Sequence, residues 1–121
     1  MSAVVIRQQP CMQFEDVSDQ LVSAFERCKG AIEDGASVTL VVHASDLLGQ
    51  GSPEDAAVAN GFLGLMRAVV FESRSRPWMV NVVAIDAGAQ TPVAVIEMLA
   101  AAQLTGQVIP TTKSGIGRLV P

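Results

Sequence analysis

The residues best suited to chemistry in this 121-residue sequence follow two apolar segments that have the character of buried strands. His43, the only histidine, comes directly after one segment, and Ser45 and Asp46 follow it closely. Asp86 and Thr91 follow the other segment. In open α/β sheets, ligands bind in the crevice beyond the carboxyl ends of the strands, so these five side chains define a candidate crevice. A histidine paired with a nearby aspartate could move a proton, and the serine could supply a hydroxyl.

The same residues also have a purely structural interpretation. A serine, a histidine and an aspartate occur together by chance in many small proteins, and Ser45 is too close to His43 in sequence for the usual arrangement of a triad. Asp86 could cap its loop through Gly88 instead of lining a pocket. No two strong ligands recur at helical i, i+4 spacing, so no metal site is predicted. The sequence therefore leaves a binding role and a structural role open for the crevice.

Strand and helix patterns alternate along the chain and would position these residues. Apolar runs predict strands at 3–6, 38–42, 79–85 and 105–109. Helical periodicity and capping signals predict helices at 15–34, 53–73 and 93–103. Because the connections are short, this order predicts four parallel strands in the order 1-2-3-4, joined by three crossover helices. We expect a single α/β domain with a truncated, three-layer Rossmann-like fold and a flexible tail over 110–121.

The side of the sheet on which the crossover helices lie bears on assembly. If every crossover lay on one side of the sheet, the other face would be bare, so either one helix crosses over or a second subunit covers that face. Gln8, Gln9 and Pro10 are expected to end the first strand. The helix at 15–34 carries one apolar stripe, which is expected to face inward: Val17, Leu21, Ala24, Phe25, Cys28, Ala31 and Ile32.

The helix predicted at 53–73 is apolar over almost its whole circumference. Between Phe62 and Phe71, Arg67 is the only charged residue. A surface helix ordinarily has a polar face, so this helix is expected to be covered by the sheet on one side and by another chain on the other. The alternative is a deep core helix in a monomer. The residues expected to form the oligomer interface are Phe62, Leu65, Met66, Val69 and Val70.

Composition excludes several classes of partner. The net charge is −4 and no basic block occurs, which argues against binding to nucleic acid or to anionic membrane surfaces. No apolar run approaches the roughly 18 residues of a spanning helix, and the first ten residues lack the plan of a signal peptide. Cys11 and Cys28 lack metal-ligand spacing; one is expected in a loop and the other on an inward helix face. Free thiols in a cytoplasmic protein are the simplest interpretation.

Several segments together resemble the short-chain dehydrogenases/reductases, and the 3-oxoacyl-carrier-protein reductase branch in particular. NGFLGLMRA (60–68) is similar to the family's GLLGLTRALA-like helix, and VNVVAIDAG (80–88) to its VNVVAPG-like strand. LTGQVI (104–109) is similar to the family's last strand. FEDVSDQLVSAF (14–25) and VTLVVHAS (38–45) are similar to an upstream helix and to the strand that ends in the catalytic serine. The resemblance covers nearly the whole chain but only the carboxyl-terminal half of the family's domain.

The departures from the family pattern concern its chemistry. The resemblance puts the catalytic tyrosine position near Asp55, the lysine near Ala59 and the active-site asparagine near Gln20. The chain contains no tyrosine, and only Ser45 matches. The half that holds the family's nucleotide-binding turn is also missing. The resemblance therefore implies a degenerate relative with no catalytic residue and no bound cofactor.

One further motif lies in the tail. The residues from Lys113 to Arg118 echo the SGIG end of the family's nucleotide loop. However, Thr111 stands where the motif has its first glycine, and only three residues follow Arg118. A flexible tail is the preferred interpretation over a phosphate-binding loop.

Two functions follow as hypotheses. The first is a cytoplasmic, non-catalytic, oligomeric module with a structural or regulatory role, forming a homodimer or tetramer or a complex with a full-length reductase. The second is a protein that binds or converts a small acyl or carbonyl compound in the crevice around His43 and Asp86. A nicotinamide cofactor is a third hypothesis, which titration of NADPH against Trp78 fluorescence would test.

Overall fold

The structure is a computed structural model that describes residues 3–73 and 75–112. The tail motif from Lys113 to Arg118 lies outside the described residues. The strands are β1 (Ala3–Arg7), β2 (Ser37–His43), β3 (Val80–Ile85) and β4 (Val108–Pro110). The helices are α1 (Glu15–Glu33), α2 (Ala44–Leu47), α3 (Pro53–Glu72) and α4 (Val93–Ala101).

The four strands form one parallel sheet in the order β1-β2-β3-β4, which confirms the predicted Rossmann-like α/β architecture. The two central strands, β2 and β3, are buried along almost their whole length. Strands covered on both faces need apolar residues at successive positions rather than alternating ones, which is why their sequences are nearly continuous apolar runs. No helix among the described residues is both long enough and apolar enough to cross a bilayer.

Helices cover both faces of the sheet. On one face, α1 and α3 pack against Leu40, Val82 and their even-numbered neighbours. On the other face, Ile96 and Leu99 of α4 pack against Val41, Val83 and Ile85. Helix α4 therefore lies on the opposite side of the sheet from α1 and α3. This is one of the two arrangements that the sequence allowed.

Helix α3 begins with the signals that the sequence predicts. The hydroxyl of Ser52 accepts a hydrogen bond from the backbone N–H of Asp55 at 3.1 Å, and Pro53 occupies the first turn. Both features favour a helix start, since they satisfy or remove donors that have no partner within the helix. Glu54 and Asp55 add negative charge at the positive end of the helix dipole.

The carboxyl-terminal end of the sheet differs from the prediction. β4 starts at Val108 rather than at 105, because the preceding residues form a loop that bonds to β3. In this loop, Gly106 donates its N–H to the carbonyl of Val80 at 2.9 Å and adopts a φ of +74° that favours glycine. Thr111 donates its N–H to the carbonyl of Ala84 at 2.9 Å, so the first residues of the predicted tail pair with β3. The sequence patterns also missed α2, which is only four residues long.

Two glycines on α3 give a test of how α1 and α3 pack. A Cβ at Gly61 would overlap the methyl groups of Leu21 on α1, whereas a Cβ at Gly64 would meet open space. Gly64→Ala should raise the free energy of unfolding by about 1 kcal/mol, the usual helical advantage of alanine over glycine. Gly61→Ala should gain less than Gly64→Ala, because the Leu21 methyl groups must move to make room for the new Cβ. Urea denaturation of both variants checks this, and equal stabilisation by the two substitutions would contradict the contact between Leu21 and Gly61.

Candidate functional site

A buried glutamine organises the polar residues at the carboxyl ends of β1 and β2. Gln8 is only 2% exposed. Its side-chain carbonyl accepts a hydrogen bond from the backbone N–H of His43 at 2.8 Å. Its amide nitrogen donates to Oδ2 of Asp46 and to the backbone carbonyl of Asp55, both at 3.2 Å. One side chain thus connects the end of β1, the end of β2 and the first turns of α2 and α3.

His43 and Asp46 form the pair that the sequence allowed as one possibility. His43 Nδ1 lies 3.2 Å from Oδ2 of Asp46. The pair forms because β2 continues directly into α2, which carries Asp46 one turn beyond the histidine. A Cβ at Gly51 would lie 2.6 Å from Oδ1 of Asp46, so the α2–α3 loop closes over the carboxylate. Asp46 is accordingly buried, at 6% exposure, while His43 is half-buried.

A second set of bonds holds the β1–α1 loop. Oδ1 of Asp55 accepts a hydrogen bond from the backbone N–H of Cys11 at 2.8 Å. The Gln20 side chain donates to the carbonyl of Gln9 and accepts from its N–H, each at 2.8 Å. Burial and the neighbouring Asp55 carboxylate raise the pKa of the Cys11 thiol above its ordinary value. Since the thiolate is the nucleophilic form, this environment does not activate Cys11.

The remaining crevice residues have different partners. Arg7 donates to the hydroxyl of Thr91 at 3.0 Å and to the carbonyl of Ala89 at 2.8 Å. Arg7 and Gln8 are adjacent in sequence, so they extend to opposite sides of the sheet. The structure therefore joins His43 to Asp46 on one side and Thr91 to Arg7 on the other.

The other two residues of the candidate crevice lie at turns. The carbonyl of Asp86 accepts from Ala89 N–H at 3.0 Å, in a turn where Gly88 has a φ of +81°. Ser45 lies half-buried in the first turn of α2. Both residues follow strand ends, as the sequence predicts. The backbone position of each is fixed by the turn in which it lies.

The buried polar side-chain atoms at these strand ends all have hydrogen-bond partners. Across residues 3–73 and 75–112, every buried side-chain nitrogen and oxygen has a hydrogen-bond partner within the protein. In the same part of the chain, no three histidine, cysteine or acidic side chains are grouped so that they could hold a metal ion. A binding site normally presents a few polar groups toward its ligand. Here those of Gln8 and Asp46 are directed at one another, at the His43 ring and at the backbone.

The residues expected at an oligomer interface divide into two groups. Phe62 and Met66 are buried in the chain's own core at 1% and 2% exposure, so their side chains do not reach the outer surface. For these two the expectation was wrong, because the helical phase turns them toward the sheet. Leu65, Val69 and Val70 are half-buried.

Phe25 differs from its prediction in the opposite direction, because it is more exposed than expected. It belongs to the apolar stripe of α1 that was predicted to face inward, yet it is 56% exposed. Val22, one turn earlier, is equally exposed. The two cysteines follow the prediction: Cys28 is buried on the inner face of α1 and Cys11 is half-buried in a loop, and both are free.

Sequence patterns did not identify a groove between α1 and α3, which has a volume of about 340 Å³. We call it the α1–α3 groove. Its apolar walls come from both helices and from the segment before β3: Phe25, Ile32, Leu65, Val69 and Trp78. The seven-residue spacing of Phe25 and Ile32 is a signal that both lie on one side of α1.

Comparison with known proteins adds no assignment, since no protein-family model matches this sequence and no match is found among curated proteins.

Proposed function

We propose that this chain is a non-catalytic relative of the short-chain dehydrogenases/reductases that acts as an oligomeric structural or regulatory module. The proposal rests on one observation: Val22 and Phe25 on the outer side of α1 are each 56% exposed. They lie on the helix that packs beside α3, where Leu65 and Val69 are half-buried. Large apolar side chains clustered at a surface are typical of protein interaction sites.

The residues at the family's catalytic positions support a non-catalytic role. Hydride transfer in that family needs a tyrosine as acid and a lysine that lowers its pKa. Asp55 stands near the tyrosine position and accepts a hydrogen bond from Cys11 N–H, and Ala59 near the lysine position is fully buried. Gln20 near the asparagine position bonds to the backbone of Gln9. The Asp55 and Gln20 side chains thus hold the β1–α1 loop.

The resemblance also suggests the geometry of assembly. In full-length members of the family, the helices that α1 and α3 resemble pair with the same helices of a second subunit. The partner here is a second copy of this chain, or a full-length reductase that the chain stabilises or regulates. Either partner would cover Val22 and Phe25.

The test replaces the exposed apolar residues of α1 with charged ones. Val22→Lys combined with Phe25→Lys should lower the association constant at least tenfold, because a symmetric interface would bring like charges together as it lost apolar area. The matched control is Val93→Lys combined with Met98→Lys on α4, at residues that are 60% and 51% exposed. Sedimentation velocity measures association, and circular dichroism checks the fold. Equal effects of the two double variants would contradict the proposal.

The second function, binding of a small acyl or carbonyl compound at the strand ends, has one supporting observation. His43 and Asp46 do form a pair at the carboxyl end of β2. Against it, the Asp46 carboxylate is buried, already bonds to Gln8, and lies beneath Gly51. A ligand would have to displace these contacts, so we place this function second.

A further inference from the structure

The α1–α3 groove has the shape of a small-ligand site. Leu21 of α1 meets Gly61 of α3, and the groove lies nearer the carboxyl ends of the two helices. Its volume of about 340 Å³ is at the lower end of ordinary ligand pockets, which range over roughly 300–1,000 Å³. The buried Cys28 contributes to its lining. Burial raises the pKa of this thiol, which therefore behaves as an apolar group.

The dimensions of the groove suit a thin, extended ligand. Phe25 and Ile32 are seven residues apart on α1, so the groove extends for about 10 Å along that helix. An unbranched alkyl chain of medium length fits such a space.

Charged side chains surround the groove. Lys29, Arg76 and Glu33 contribute to its lining, so cations outnumber acids there although the whole chain carries a net charge of −4. The guanidinium carbon of Arg76 lies 4.9 Å from the centre of the Trp78 ring. This cation–π contact holds one positive charge beside the apolar wall.

We propose that the α1–α3 groove binds a single-chain amphiphile with an anionic head group, such as a medium-chain carboxylate. The alkyl chain lies against Ile32, Leu65 and Val69. The head group lies near Lys29 and Arg76. All of these residues belong to one chain, so the site is complete without a partner. Because Phe25 lines the groove and also belongs to the proposed interface, the amphiphile and a second copy would compete for it.

Trp78 provides the measurement, since it is the only tryptophan and lines the groove. Octanoate, nonanoate and decanoate, added below their aggregation concentrations, should each change its fluorescence to saturation. Each added methylene should tighten binding about fourfold, which corresponds to about 0.8 kcal/mol of apolar burial. Absence of saturable binding, or affinity that is independent of chain length, would overturn the proposal. A third result would also overturn it: decanoate does not bind, and the Trp78 emission changes with protein concentration. A second copy of the chain would then fill the groove.

Charge variants test the head group. Lys29→Glu combined with Arg76→Glu should weaken decanoate binding about tenfold, since two exposed attractions of up to about fivefold each are reversed. Binding of decanol, which has no charge, should change less than twofold. Arg67→Glu, an exposed charge reversal on α3 outside the groove, is the control. Isothermal titration calorimetry accompanies fluorescence here, because the Arg76 substitution alters the surroundings of Trp78. Equal loss for decanoate and decanol would refute the anionic head group.

Val69→Phe tests the location by filling the groove. It should reduce decanoate affinity at least tenfold, and circular dichroism should show an unchanged fold. Retained affinity in a folded Val69→Phe variant would place the ligand elsewhere and overturn the proposal. Since binding is read at Trp78 and assembly by sedimentation, failure of this proposal and failure of the proposed function give different results.

Discussion

Phe62→Ala is expected to lower the free energy of unfolding by about 3 to 5 kcal/mol, the range found when a buried phenylalanine is truncated. Phe62 is 1% exposed and packs among the residues of α1, α3 and the sheet that form the main core. Truncation removes apolar burial and leaves a cavity between layers that relax only partly. A small domain has only about 5 to 15 kcal/mol in total, so the variant should unfold at much lower urea concentration.

The matched control is Phe14→Ala, which truncates a phenylalanine that is 76% exposed. Its effect should stay within about 0.5 kcal/mol, as is usual for surface substitutions. Both variants are compared by urea denaturation at one protein concentration, since self-association would add to apparent stability. Similar losses in the two variants would mean that Phe62 does not belong to the core of the single chain.

Gln8→Ala should lower the free energy of unfolding by about 3 kcal/mol, although it removes only a polar side chain. The substitution takes partners away from His43 N–H, from the Asp55 carbonyl and from the buried Asp46 carboxylate. A buried group left without its partner costs about 1 to 3 kcal/mol, and more when it is charged. The cost arises because the Gln8 side chain joins the ends of β1 and β2 to α2 and α3.

Gln9→Ala is the control for this prediction. The Gln9 side chain is exposed, and its backbone bonds to Gln20 do not involve the side chain. Its loss of stability should be no more than about 0.5 kcal/mol. If Gln8→Ala were as mild as Gln9→Ala, water or a ligand would be able to replace the glutamine, and the crevice would again be a candidate binding site.

The parts of the fold that could be predicted depend on local signals. Val38 to Val42 and the run before Asp86 are continuously apolar, which indicates buried parallel strands without knowledge of the partners. Ser52 and Pro53 mark the start of α3 through the chemistry of a helix end. The order of these elements and their short connections were enough to predict the sheet order.

The parts that could not be predicted depend on contacts between distant segments. The sequence predicts Gln8 only as the end of a strand, because no local pattern shows that three other segments bond to its side-chain amide. The all-apolar pattern of α3 showed that the helix is covered but not which side faces the sheet, so Phe62 and Met66 were misplaced. Phe25 was misplaced because it follows the buried Ala24 by one residue, and the rotation of about 100° between neighbouring helix positions turns it out of the core.

We propose that the chain works by associating through the outer side of α1. Sedimentation equilibrium of the unaltered protein over a range of micromolar concentrations tests this most directly. The expected result is a dimer or tetramer whose dissociation is promoted by lysine at Val22 and Phe25. A folded monomer throughout that range, with circular dichroism typical of an α/β protein, would contradict the claim.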